Sequence, residues 1–259
     1  MKVLKVPQAL EAAEPQGAAR GQDPRLWLFS TALLDLDDPR LRLKARALTQ
    51  LSKTPREKAL ALYAFVKRLP YGKPIKLRFR TAREVLDAGG GDGDDKGTLM
   101  VALLRAAGIP ARLRYVELDG EIMRGWVPMS RAARPVAEVW LGRWVRTDTY
   151  LFDASYLAAA RQRLKDQGWT HGYGISVAAQ SLWNGVDDAF LGGVPTGNDP
   201  MALRDLGVYH DPLDLVSSEI WRNDYRRVAR AVHWNVVAPA MDRVIRELRE
   251  EAGLRLHRA

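Results

Sequence analysis

The chain has 259 residues, a formal net charge of +9 and no cysteine, with 47% hydrophobic and 27% charged residues. This length allows one well-buried core with elaborations, the composition is that of a globular protein, and the lack of cysteine excludes disulfides and thiolate metal sites. No apolar run approaches the roughly 18–20 residues of a membrane span, and the opening MKVLKVPQALEAAEPQG has no apolar signal core, so a cytoplasmic location is expected.

The basic balance admits a polyanion or nucleic-acid partner through counterion release. Acids are interspersed nearly everywhere, however, and only Arg222–Arg230 and Arg243–Arg258 are locally dense, without a groove-reading motif. A solvated surface is the favoured explanation, and nucleic-acid binding ranks third among the functions considered.

Residues 1–25, rich in Ala, Gln, Gly and Pro, read as a loosely ordered lead. Leu26–Leu34 is mainly apolar, and Asp35–Pro39 is a turn before a helix from about Pro39 to Leu51. Thr54, Pro55 and Glu57 match N-cap, N1 and N3 of a second helix that runs to Pro70, and Thr81 with Glu84 repeats the pattern for a short third. Thr98–Ala107 is a central helix with Leu99, Leu103 and Leu104 facing the core and Gly108 ending it. Ala111–Leu118 alternates as a strand, with Asp119-Gly120 as a hairpin turn; Pro135–Leu141 and Arg143–Thr149 form a second hairpin around Gly142. Beyond these, Tyr156–Leu164 reads as helix, His171–Val177 as a strand, Gly185–Pro200 as loop, and Asp214–Arg249 as mostly helical with a break near Pro239.

Two blocks carry a family resemblance. Gly91-Asp92, Asp95-Lys96, Leu99 and Leu104–Arg112 lie in register with G-D-C-x-D-K/H-A-x-L followed by a helix ending L-R-x-x-G-I-P-A-R. Glu138, Trp144 and Asp148 then match H-x-x-x-E-V-x-L, a turn and W-x-x-x-D. These motifs resemble the transglutaminase-like superfamily, whose papain-like fold and Cys-His-Asp triad the resemblance implies over about residues 26–155. The expected fold is therefore α+β, a central helix on an antiparallel sheet, with residues 156–259 as a mainly helical extension packed on that core.

The cysteine position of that pattern holds Gly93 and the histidine position holds Arg134, while Asp148 remains. Glycine has no functional group and a guanidinium stays protonated, so neither replaces a nucleophile or its base. Thiol transglutaminase and cysteine-protease chemistry are excluded, and two replacements at separate positions read as divergence.

What remains divides into two classes. In the first, a repurposed enzyme acts on a small polar or acyl/amide-type substrate, with Asp148, Arg134, Asp95 and Tyr150 as acid–base or electrostatic groups and Gly93, Asp92, Asp94 and Lys96 as the substrate-binding set. In the second, a catalytically dead relative binds a peptide or small ligand in the same cleft. Convergence of charge where the triad stood gives the enzyme a slight edge. Each residue also has a plainer explanation. Asp92, Asp94 and Asp95 could hold a hard cation, but capping of a helix N-terminus is favoured. An ion pair of Arg134 with Asp148 or Asp92 would be a structural repair, Tyr150 could be packing, and Lys96 could form a Schiff base only if desolvated. The four histidines, His171, His210, His233 and His257, have no metal-ligand spacing. Trp126, Trp140 and Trp144 are most simply core. No metal or cofactor is expected.

Overall fold

The structure, a computed structural model, describes residues 23–190, 201–224 and 236–256. Residues 1–22 of the expected lead (1–25), residues 191–200 of the expected loop and residues 225–230 of the basic stretch Arg222–Arg230 lie outside them, while the end of the lead enters a 3-10 turn. After a 3-10 turn at Pro24–Leu28 come α1 (Pro39–Thr49), α2 (Pro55–Arg68) and α3 (Ala82–Ala88). Their starts follow the sequence: Asp38 accepts from the amides of Arg40 and Leu41, and Thr54 with Glu57 and Thr81 with Glu84 close reciprocal capping boxes.

The central helix α4 (Gly93–Ala106) starts earlier than apolar periodicity alone placed it. Asp92 accepts from the Asp95 amide at 3.1 Å and Asp95 accepts from the Asp92 amide at 3.2 Å, so the acidic loop is itself the first turn. Every residue from Asp95 to Arg105 is buried, because α1, α2 and α3 pack on one side and the sheet on the other. Gly108, at φ 79°, supplies the left-handed residue that turns the chain out.

The sheet is antiparallel in the order β3-β2-β1-β6, from β1 (Ala111–Asp119), β2 (Arg131–Trp140), β3 (Trp144–Arg146) and β6 (Ala202–Tyr209). Between them lie α5 (Ala154–Gln167) and a small hairpin of β4 (His171–Gly172) and β5 (Ile175–Ser176). The hairpin around Gly142 is as expected, with Trp140 opposite Trp144. Pro135 is tolerated inside β2 because β3 pairs only with residues 138–140, leaving that edge of β2 uncovered by β3.

Two expectations need correction. Asp119-Gly120 is not a hairpin turn: Asp119 pairs with Arg131, and residues 120–130 form the connection, beginning with a 3-10 turn. Asp119 accepts from the Glu121 amide, and Ile122, Met123 and Trp126 sink inward instead of extending a ladder. The strand β6 was not anticipated. Leu203 is exposed while Leu206 is fully buried, Gly207 interrupts the pattern, and register shifts break its pairing with β1. Its partner lies far away in the chain, so nothing local specifies it.

The helices α6 (Pro212–Ser217), α7 (Glu219–Asp224) and α8 (Ala238–Leu256) complete the described chain. The last packs against α5 and buries Met241, Ile245 and Leu248.

Candidate functional site

A cavity of about 380 Å³ opens in front of the N-terminus of α4. Gly93 and Asp94 reach it from the helix, Tyr115 from β1, Arg134 and Pro135 from β2, and Gly174 from the turn between β4 and β5. Its remaining walls are largely apolar. Ile122, Met123 and Trp126 come from the β1–β2 connection, and Leu215, Trp221 and Met241 from α6, α7 and α8. Segments on both sides of the sequence thus close one space, of a size usual for small-molecule sites.

At Gly93 a Cβ would meet Leu151 Cδ2 at 3.2 Å and Pro135 Cγ at 3.4 Å. The position is therefore close-fitting but bordered by side chains that can give.

Arg134 is nearly buried. Its Nη2 donates to Asp148 Oδ2 and its Nη1 to the Gly174 carbonyl, both at 3.2 Å, while Nε is buried without a hydrogen-bond partner among the described residues. Both bonds are long for charge-assisted ones, which centre on about 2.7–2.9 Å. Asp148, in a 3-10 turn after β3, is 4% exposed and does not line the cavity.

Gly174 holds its carbonyl toward Arg134 from φ 80°, with Trp126 Cη2 2.5 Å and Phe152 Cζ 2.7 Å from where a Cβ would stand. Gly174→Ala is accordingly expected to cost at least about 2 kcal/mol. A urea-unfolding midpoint equal to the parent's would contradict this.

The acidic first turn of α4 is met by a basic loop. Lys76 Nζ lies 2.9 Å from Asp92 and 3.0 Å from Asp95, Lys73 lies 3.4 Å from Asp92, and Arg80 lies 2.5 Å from Asp95. Burial opposes ionisation of Asp92, but the charges of Lys73 and Lys76 outweigh it and hold this carboxyl below its ordinary range. Asp94 differs. Burial and the neighbouring Asp92 charge raise its pKa, and Tyr115 Oη donates to its Oδ1 at 2.8 Å. Three cations thus satisfy Asp92 and Asp95, two of the three carboxylates that sequence alone offered to a hard metal ion, while Asp94 is met by the Tyr115 hydroxyl.

The eight candidate residues therefore separate. Gly93, Asp94 and Arg134 line the cavity; Asp92, Asp95, Lys96, Asp148 and Tyr150 do not. Asp95 faces Lys76 and Arg80. Tyr150 is fully buried, donates weakly to the Pro135 carbonyl at 3.5 Å, and burial pushes its hydroxyl well above the ordinary range. Lys96 is fully buried on another side of α4, where it donates to the Leu69 carbonyl at 2.8 Å and burial lowers it to about 7.

Of the histidines, His171 lies in β4 away from the cavity, His210 contacts Arg105, and His233 and His257 lie outside the described residues. Reasoning from sequence missed Lys73 and Lys76, whose signal was a basic loop complementary to three nearby aspartates. It also missed the wall role of Trp126, which is buried but borders the cavity.

The model of the transglutaminase-like superfamily matches residues 43–149, a span that includes Gly93, Arg134 and Asp148. Similar solved structures include a candidate cysteine protease from Cytophaga hutchinsonii, 22% identical over 48% of this chain and 40% of that one, with a TM-score of 0.38. Another is a candidate protease from Parabacteroides distasonis, 19% identical over 48% of this chain and 26% of that one, with a TM-score of 0.34. The chain thus spans less than half the length of either structure. No curated protein matches the sequence. Among the described residues, no helix is long and apolar enough to cross a membrane.

Proposed function

Residues 43–149 being a transglutaminase-like domain with glycine and arginine where the thiol and imidazole of such a triad belong, we propose that this chain binds a small ligand in the cleft before α4 and performs no thiol chemistry there. The observation that carries the reading is the cavity of about 380 Å³ floored by Gly93, Asp94 and Arg134. A buried Arg134–Asp148 pair is what a cleft needs once the histidine is gone, because a lone buried carboxylate is costly. Among the groups considered for catalysis, Asp95, Asp148 and Tyr150 lie outside the cavity, so binding outranks a repurposed reaction.

A second reading has one specific observation in its favour. Asp94 borders the cavity with a carboxyl raised by burial and by Asp92, the property of a general acid or base poised nearer neutral pH. In that case Asp94→Asn would abolish turnover while leaving ligand affinity in place. Polyanion binding stays third; much of the Arg222–Arg230 stretch lies outside the described residues.

The chain's lack of cysteine provides the test. Gly93→Cys would carry the only thiol, at the cavity floor and at a helix N-terminus that favours thiolate. The expected result is a folded variant whose thiol reacts with a small maleimide and is protected when the cavity is filled by a small apolar compound such as naphthalene. A thiol that labels only after unfolding would argue against an accessible cleft and against the proposal.

A further inference from the structure

The apolar lining and the polar floor of the cavity specify its occupant further than its volume does. Met123, Met129 and Met241 border it together with Ile122, Leu118 and Leu215. Methionine is flexible and polarisable, so such walls adapt to a chain that has no fixed shape. Volume sets the length. A space of about 380 Å³ holds roughly a dozen atoms of water size at about 30 Å³ each, which is a chain of about ten carbons with its head group.

The head group follows from the floor. Arg134 is nine-tenths buried and borders the cavity, and its Nη1 and Nη2 each make one long bond, to Gly174 and Asp148, that uses one of the two N–H groups on each nitrogen. The guanidinium therefore has donor capacity left in a low-dielectric site, where an acceptor of matching charge gains most. The first amides of α4, at Gly93 and Asp94, border the same floor and favour negative charge. Asp94, when protonated, donates a hydrogen bond to an incoming carboxylate.

We infer that the ligand is a medium-chain aliphatic monocarboxylate, its carboxylate toward Arg134 and the α4 amides and its chain against the methionine-rich wall. This rests on the reading of the cleft as a small-ligand site.

The experiment compares probes that share a ten-carbon tail: decanoate, decanol and decyltrimethylammonium, all below their micellar range, with butyrate as the tailless acid. Affinity is read by calorimetry on the full chain and by protection of the thiol introduced with Gly93→Cys. Decanoate is expected to bind at least about tenfold more tightly than decanol, the worth of one charge-assisted hydrogen bond, and butyrate not measurably. Arg134→Met alone would remove the guanidinium that donates to Asp148 and so cost stability. The double change Arg134→Met with Asp148→Asn keeps the site neutral, and in it decanoate should lose its advantage over decanol.

Equal affinity for decanoate and decanol, tighter binding of the cationic probe, or an unchanged preference in the double variant each overturn the carboxylate assignment. If decanoate fails but naphthalene protects the introduced thiol, the inference falls and the small-ligand reading stands. If no compound of either kind protects it, both fall.

Discussion

Replacing Lys96 with methionine is expected to stabilise the protein by about 2–4 kcal/mol at pH 6, with the gain fading as pH rises toward 10. Lys96 is fully buried, and burial lowers it from its ordinary 10.5 to about 7 against the opposing pull of Asp153. At about 1.4 kcal/mol per pH unit, that gap amounts to roughly 5 kcal/mol of penalty on the folded state. Methionine has similar length and no charge, but leaves the Leu69 carbonyl without the bond it accepts from Lys96, which returns about 1–3 kcal/mol. Asp153 keeps Arg249 at 2.5 Å, so it is not stranded.

The sign follows from proton counting. Between about 7 and 10.5 the unfolded lysine is protonated and the folded one is not, so parent stability rises with pH through that window. Below it both states are protonated and the penalty is complete. Lys67, lowered to about 8 by burial, adds to the parent's rise, and because its charge also helps lower Lys96 it cancels only in part in the comparison with the variant. Chemical denaturation of both proteins at pH 6, 8 and 9.5 measures the effect. A difference that is flat across pH would mean that Lys96 is not held as a buried, depressed amine.

The second large effect has the opposite direction. Lys76→Met is expected to destabilise by about 3–5 kcal/mol at neutral pH. Lys76 is buried between Asp92 and Asp95, whose only other cations in the cluster are Lys73 and Arg80. Without it, the carboxylates of the first turn of α4 outnumber the cations facing them, and the reciprocal cap that starts the helix carries the repulsion. Adding Asp95→Asn should recover part of the loss, because it restores the charge balance while the amide oxygen can still accept from the Asp92 amide. Acidification should recover part of it as well. Asp94 already sits above its ordinary range, through burial and then the Asp92 charge. A carboxyl raised in the folded state takes up its proton there first, so stability returns as pH falls through the folded value. Unfolding of single and double variants between pH 4.5 and 7.5 reads this directly. A single variant within about 1 kcal/mol of the parent would show that Lys73 and Arg80 suffice.

Much of the helical frame was legible because its signals are local. Thr54 with Glu57 and Thr81 with Glu84 announce their helices within one turn, and the structure closes both boxes. Gly108 ends α4 with a positive φ for the same kind of reason. The failures share a different character. Asp119-Gly120 has the composition of a turn, yet the apolar residues after it found burial elsewhere. The strand β6 is half exposed and pairs across more than 80 residues of chain, a distance over which no pattern in its own sequence can act.

The candidate site divides along that line. A chain without cysteine, with Gly93 and Arg134 at two motif positions, determines by itself that no thiol attacks a substrate, because that conclusion needs only the chemistry of side chains that are present. Which charged groups still face a ligand is a question of packing. The fold turned Asp95 toward Lys76 and Arg80, sealed Lys96 behind α4, tied Asp148 to Arg134, and left Asp94 and Arg134 beside an apolar space. Burial and pairing of that kind depend on which distant segments meet. Only the tertiary structure could decide them.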